Sequence, residues 1–299
     1  MVDIVQNTLD GLMTGSAYAL LAIGFTLIFG VMRRLNLSFG PSIMFGAFVG
    51  TLLHLQIQSG AVVVAAATVA GAVLIGMYVE RLSFWAIRKD AALASMISSY
   101  ALWMQLQEIV TIFFPRRTYP FPSLVEPTQI ALGPFTLRSE YLFMFGCAAA
   151  LTLGVHAILY RTRFGLYLRA VSEDPAAARY MGINLGRVMF WGFALASAIG
   201  GAAGFLILSA QETVETMFGM WATFKGLIAM MLGGMGSIPG AIAGGLLLGV
   251  VETNVLWLFG PQPRDMTAYL LLFIVLIARP GGLFANKSMR DAVAAERRV

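Results

Sequence analysis

An acidic pair, Glu173-Asp174, stands directly before Pro175 and the small run Ala176-Ala177-Ala178, and Arg179, Tyr180 and Gly182 close the stretch. Residues of these types at this spacing build a short helix with a recognition surface, not a reaction centre. Asp174 reads as an N-cap whose carboxylate accepts from free backbone amides, and the fixed φ of Pro175 suits the first turn. Glu173 and Asp174 also complement the positive end of the helix dipole. The alanines leave a shallow face with Arg179 and Tyr180 standing beside it, and Gly182 permits the left-handed residue that ends the helix. A shallow helix between arginine-bearing flanks suits insertion into a groove on a partner. These residues leave a second reading open, a solvated helix held to lipid headgroups by arginine.

Other chemistry is sparse. His54 and His156 lie far apart in different apolar runs and read as helix-packing residues. No His, Cys, Asp or Glu cluster has metal-ligand spacing, and no Walker A sequence occurs, so no cofactor is expected and ATP is not bound by that route. Glu108 and Glu252 each fall within an apolar run. Acids there are candidates for substrate or gating roles, and both lie near enough to a run's end to be interfacial or interhelical. No paired carboxylates form a proton or sodium relay. The single Cys147 excludes an internal disulfide.

The elements that must hold these residues follow from composition. Of 299 residues, 59% are hydrophobic and 12% charged, with mean hydropathy +0.79. That is too apolar for a soluble domain, and it predicts an all-α integral membrane protein, a polytopic helical bundle forming one transmembrane domain over 1–299. Crossing about 30 Å of hydrocarbon takes roughly twenty helical residues. The runs 9–32, 61–83, 93–114, 140–160, 188–209 and 267–284 qualify. Two more are broken: 35–58 opens on Asn36-Leu37-Ser38-Phe39-Gly40-Pro41-Ser42, and 223–259 is interrupted by Gly233-Gly234-Met235-Gly236-Ser237-Ile238-Pro239-Gly240. About eight or nine spans are expected, with 223–236 short enough to be re-entrant. The first run is too long for a signal peptide's core and follows acids, not bases. Thirty-two glycines fit close helix contact.

The net charge of +5 reads as an orientation signal, not as a nucleic-acid surface. The polar stretch 161–187 alone holds five of the twenty basic residues. If it is cytoplasmic, inner segments carry fifteen: Arg33, Arg34, Arg81, Arg88, Lys89, those five, Arg279, Lys287, Arg290, Arg297 and Arg298. Arg116, Arg117, Arg138, Lys225 and Arg264 remain outside. This bias predicts an outer N-terminus, an inner tail over 285–299 and an external hairpin over 115–139, which holds five prolines.

Four stretches, in order, carry a resemblance. Thr162-Arg163-Phe164-Gly165, Leu168-Arg169-Ala170-Val171, Glu173-Asp174-Pro175, Ala177-Ala178 and Gly182-Ile183-Asn184 resemble the cytoplasmic loop of the LivH-type permeases of branched-chain amino-acid ABC importers. Gly11-Leu12 with Gly15 through Gly30 is similar to that family's first span. Leu35-Asn36-Leu37 with Gly40 and Gly46-Ala47 is similar to its broken second segment. Lys225-Gly226, Gly233 through Ser237 and Pro239-Gly240-Ala241 are similar to its late glycine-rich motif. The resemblance implies a non-catalytic transmembrane subunit in a bacterial inner membrane. Its partners would be ABC ATPase subunits, a second permease that is a paralogue, and a periplasmic substrate-binding protein. It also implies that Glu173, Asp174, Ala177, Ala178, Arg179 and Gly182 couple to the ATPase, although the coupling motif's leading Glu is Ala176 here.

The broken segments are the expected translocation path: Asn36, Ser38, Gly40 and Ser42, with Gly233, Gly234, Gly236 and Ser237, whose backbone groups suit a zwitterion. Gly40-Pro41-Ser42-Ile43 and Gly236-Ser237-Ile238-Pro239-Gly240-Ala241 echo one another, each before an apolar helix. Relatives often have Ala-His-Gly where this chain has Ser38-Phe39-Gly40. That departure leaves urea, short amides and aromatic acids open as substrates beside the branched-chain amino acids. An ion-coupled secondary transporter is the alternative of a different class, disfavoured by the missing ion site, and no clustered polar site supports a membrane enzyme.

Overall fold

Backbone in hydrocarbon must satisfy its own hydrogen bonds, so apolar runs of this length resolve as helices. A computed structural model describes residues 2–85, 92–125, 128–132, 135–279 and 281–284. Arg88, Lys89, Lys287, Arg290, Arg297, Arg298 and the tail 285–299 lie outside the described residues. The helices are α1 (Val2–Met32), α2 (Phe39–Ile57), α3 (Ala61–Val79), α4 (Ala92–Phe113), α5 (Ser139–Arg161), α6 (Arg163–Glu173), α7 (Pro175–Tyr180), α8 (Leu185–Gln211), α9 (Phe218–Gly233), α10 (Ile238–Phe259) and α11 (Arg264–Ala278). A π-helical turn, Glu80–Trp85, prolongs α3. Strands β1 (Thr118–Pro120) and β4 (Thr213–Glu215) pair antiparallel, and β2 (Gln129–Leu132) and β3 (Phe135–Arg138) form a hairpin.

Among the described residues six helices are long and apolar enough to cross a membrane: Asp3–Met32, Phe39–Ile57, Ala61–Phe84, Ser139–Arg161, Leu185–Gln211 and Ile238–Phe259. The expected run 93–114 is helical as α4 but carries Gln105, Gln107 and Glu108. The expected run 267–284 ends early. Its helix, α11, has 15 residues, which reach about 22 Å. Helix α1 begins at Val2, ahead of the expected 9, and takes in both Asp3 and Asp10.

The chain divides into two compact units. One comprises residues 27–124 and 149–223. Its helices approach through glycine. Helices α2 and α3 meet where a Cβ on Gly46 would lie 2.3 Å from the Thr68 carbonyl oxygen. Helices α3 and α8 meet at Gly76 against Ser197 and at Gly201 against Ala72, and Gly204 of α8 accepts Ile43 of α2. The β1–β4 pair closes over this unit, with Phe121 packed on Phe205.

The other unit comprises residues 1–26, 125–148 and 224–299. Its centre is a small-residue seam between α1 and α10. Gly11, Gly15 and Ala19 recur every four residues on one helix, as do Ala241, Gly245 and Gly249 on the other. A Cβ on Gly245 would stand 2.3 Å from the Ala19 nitrogen, and one on Gly249 2.4 Å from the Gly15 Cα. Contact this close secures dispersion between helices where lipid supplies no hydrophobic drive. The β2–β3 hairpin is tied to α1 by Gln6, which donates to the Thr136 carbonyl and accepts from the Thr136 amide.

Backbone, unlike a flexible side chain, cannot yield to an added Cβ. Gly245→Leu is therefore expected to destabilise the protein by about 3 kcal/mol, the upper range for overpacking. Gly186→Leu, at an open site whose nearest heavy atom is Asn184 Oδ1 at 3.5 Å, should cost little. Thermal unfolding in detergent separates the two, and equal midpoints would sink the seam.

Candidate functional site

The polar stretch 161–187 is built from two short helices held by three caps. Thr162 Oγ1 accepts from the Gly165 amide at the start of α6. The corner is tight enough that a Cβ on Gly165 would lie 2.3 Å from the Leu159 carbonyl oxygen. Helix α6, which sequence reading did not expect, buries Leu168 and Val171. Its last carbonyls, of Ser172 and Glu173, accept from Arg33 Nη2 at 3.2 and 3.3 Å. Asp174 then caps α7 as expected: Oδ1 accepts from the Ala176 and Ala177 amides at 2.8 and 3.1 Å. Pro175 occupies the first turn. The helix ends through Gly182 at φ +80°, with the Ile183 amide donating to the Ala178 carbonyl at 3.1 Å, a closed left-handed terminus. Asn184 caps α8 through the Arg187 amide.

This arrangement sorts the expected coupling residues. Ala178 is fully buried and anchors α7. Glu173, Asp174, Ala177, Arg179 and Gly182 are exposed. Two residues outside that set stand out further: Tyr180 at 93% exposure and Met181 at 69%. Both are large side chains held out from a capped turn.

The expected path residues at the entrance of α2 form a buried knot. Asn36, Ser38 and Ser42 are each almost wholly enclosed. Asn36 Oδ1 accepts from the Ser38 amide at 3.0 Å, Ser38 Oγ donates to the Ser99 carbonyl, and Ser42 Oγ donates to the Ser38 carbonyl at 2.7 Å. Ser99 Oγ in turn accepts from the Leu37 amide at 3.3 Å. Gly40 lets the first residues of α9 approach, for a Cβ there would lie 2.1 Å from the Gly219 carbonyl oxygen and 2.3 Å from Thr223 Oγ1. Asn36 Nδ2 is the exception, a buried donor with no partner among the described residues. Ser99 and Thr223 were not foreseen, because helical serines and threonines in apolar runs look alike in sequence.

The second path group lies in the link between α9 and α10. Gly234 and Gly236 have φ +114° and +82°. Ser237 caps α10, its Oγ accepting from the Gly240 amide at 3.2 Å. Gly233 permits close passage of Gly240. The Gly233 carbonyl, one of the backbone groups expected to face a substrate, already accepts from the Phe284 amide at 2.9 Å, and the Leu232 carbonyl accepts from Leu283. The sequence echo has a structural counterpart in that Ser38 and Ser237 both sit at N-caps and both helices have proline in the first turn.

Lys225, counted among the outer cations, lies in an ion-paired cluster. It is not a loop residue but lies inside α9, 3% exposed, and donates to Glu252 Oε1 of α10 and, at 2.8 Å, to Asp265 Oδ1 of α11. Arg264 Nε donates to Glu252 Oε2 at 3.1 Å, and Arg264 Nη2 donates to the Tyr18 hydroxyl of α1 at 2.8 Å. Glu252 is thus fully engaged, whereas Glu108 is exposed. The available signal was one lysine and one glutamate on either side of the break in 223–259. Neither histidine joins this network: His54 Nδ1 lies 3.3 Å from the Ser59 carbonyl, and the His156 ring packs tilted against Tyr160. Among the described residues no group of His, Cys, Asp and Glu could hold a metal ion.

Long apolar helices joined by glycine contacts, with a short capped helix between two of them, are the features of a polytopic helical membrane protein. The sequence profile described as branched-chain amino acid transport system / permease component matches residues 7–279, and the chain belongs to that family. It is 30% identical over 296 residues to the high-affinity branched-chain amino acid transport system permease protein LivH of Escherichia coli (strain K12), covering 94% of this chain and 96% of that protein. It is 29% identical over 295 residues to BraD of Pseudomonas aeruginosa, a permease protein of the same description, with 94% and 96% covered. It is 26% identical over 322 residues to the nucleoside ABC transporter permease protein NupC of Lactococcus lactis, with 95% and 86% covered. The chain is a permease subunit of an ABC transporter, a membrane component that performs no catalysis itself and works with a separate ATPase.

Proposed function

We propose that this permease carries branched-chain amino acids or close analogues inward across a bacterial inner membrane, with its N-terminus out and its C-terminus in. A paralogous permease would complete the path, and a periplasmic binding protein would deliver the substrate. The exposed face of α7, formed by Glu173, Asp174, Ala177, Arg179 and Gly182 and extended by Tyr180 and Met181, docks in a cleft of the ATPase, with Ala178 as its inward anchor. Asn36, Ser38, Gly40 and Ser42, with Gly233, Gly234, Gly236 and Ser237, shape the path.

The observation that carries this reading is the capped, outward-facing α7 with Tyr180 at its tip. Such a turn is rigid enough to transmit force. The Arg33 contacts to Ser172 and Glu173 support a route for it, because they join α6, and with it α7, to the end of α1. Closure of the ATPase then shifts this assembly and reorients the spans between two states. The unpartnered Asn36 Nδ2 supports a polar contact at the α2 break. Phe39, at the position where relatives often have histidine, packs against Gly200 of α8. The departure is thereby absorbed in packing, which favours the branched-chain substrates of the relatives LivH and BraD over a different class.

In vesicles containing the chain with its ATPase, partner permease and binding protein, radiolabelled leucine, isoleucine or valine should accumulate only with ATP inside the ATPase compartment. Accumulation by the isolated chain under a proton or sodium gradient would instead make it a secondary transporter and overturn this reading.

A further inference from the structure

Four charged side chains in the unit built on α1 and α10 form one alternating line: Asp265, Lys225, Glu252 and Arg264, linked by contacts no longer than 3.1 Å. The two central members are 3% and 1% exposed. The two ends are open, Asp265 at 64% and Arg264 at 32%. Charges buried this deeply are costly, and well-packed apolar residues would hold the same helices at least as firmly. Their presence therefore asks for a use that needs charge. The line is neutral overall, which fits poorly with passage of a single cation or anion.

Its ends are of opposite sign and belong to consecutive residues in the first turn of α11. Asp265 Oδ1 accepts from Lys225 at 2.8 Å, and the side chain is 64% exposed, which leaves the carboxylate open to an ammonium group. Arg264 donates through Nε to Glu252 and through Nη2 to Tyr18, and its side chain is 32% exposed, so that the outer part of the guanidinium can meet a carboxylate. The buried pair behind them fixes both: Lys225 orients the Asp265 carboxylate, and Glu252 with Tyr18 orients the guanidinium.

We propose that Asp265 and Arg264 form a recognition site for the paired ammonium and carboxylate of a zwitterionic amino acid, with Lys225, Glu252 and Tyr18 as its positioning residues. The site rests on the transport reading above and deepens it. It reads the common backbone of amino acids and leaves the side chain to other groups.

The test uses the importer assembled without its binding protein, so that the binding protein's own amino-acid pocket is absent and the Asp265 variants separate this site from the rest of the path. Ten-millimolar leucine should raise the unfolding midpoint by about 2–4 °C through preferential binding to the folded state. Leucinamide, which lacks the carboxylate, and 4-methylpentanoate, which lacks the ammonium, should raise it by less than about a third as much. Asp265→Asn should abolish the leucine shift and Asp265→Glu should retain it. No shift with leucine, equal shifts with all three compounds, or an unchanged shift in Asp265→Asn would overturn the site. Uptake of leucine by the complete wild-type importer is measured in parallel. Uptake without a leucine shift overturns the site alone, whereas absence of uptake of all three branched-chain amino acids overturns the transport reading and the site with it.

Discussion

Lys225→Met is expected to destabilise the protein by about 3–5 kcal/mol, the cost of leaving a buried charge without its partner. Lys225 is 3% exposed and bonds two carboxylates on two other helices. Removing it leaves Glu252, at 1% exposure, with Arg264 and the Tyr18 hydroxyl as its partners among the described residues. Methionine fills the volume, so the loss is electrostatic and not a cavity. That distinction can be measured. Lys225→Met combined with Glu252→Gln removes both central charges and preserves the acceptor for Arg264, and it should recover at least half of the loss. Because the pair is shielded from ions, the loss should persist when salt is raised. Unfolding in mixed micelles at low and high salt gives these numbers. A single-variant loss below about 1 kcal/mol, the range of a surface ion pair, would show that the network contributes nothing beyond a surface contact.

That network also marks where sequence ceased to inform. The helices were legible because a bilayer-sized apolar run has one way to satisfy its backbone, and α7 was legible to the residue because Asp174, Pro175 and Gly182 act locally. Helix α6 was missed because its sequence, Arg163 to Glu173, is polar on one side and reads as loop; burial of Leu168 and Val171 is what sustains it. The seam of Gly11, Gly15, Gly245 and Gly249 was visible only as abundant glycine, because pairing two helices requires knowing which ones meet. Lys225, counted among the outer cations, could not be joined to Glu252 and Asp265 for the same reason: the partners lie 27 and 40 residues away. The α2 entrance shows an intermediate case. Its irregular start at Asn36 to Ser42 was evident, but the use of Ser38 and Ser42 as donors to backbone carbonyls depends on Ser99 of another helix and on the turn itself.

The α7 turn permits the sharpest functional expectation, because contact and scaffold can be removed separately. Tyr180→Asp alters only an exposed tip at 93% exposure and touches no internal bond of the turn. It places a charge where an apolar contact is proposed. Asp174→Lys leaves the tip intact but deletes the acceptor for the Ala176 and Ala177 amides. It also sets a positive charge at the positive end of the dipole. Lost caps cost about 1 kcal/mol and adverse dipole charges about 0.5 more. That suffices to melt a helix of six residues, which is far below the length that holds in water without support. Both variants should reach the membrane in wild-type amount, since the spans are untouched. Each should lower ATP-driven uptake at least about tenfold, the loss of roughly 1.4 kcal/mol of coupling, while the ATPase continues to hydrolyse ATP. Uptake and hydrolysis measured in the same vesicles give the ratio directly. Wild-type coupling in both variants would show that α7 is not the docking element, and loss in Asp174→Lys alone would assign it to the scaffold and remove Tyr180 from the contact.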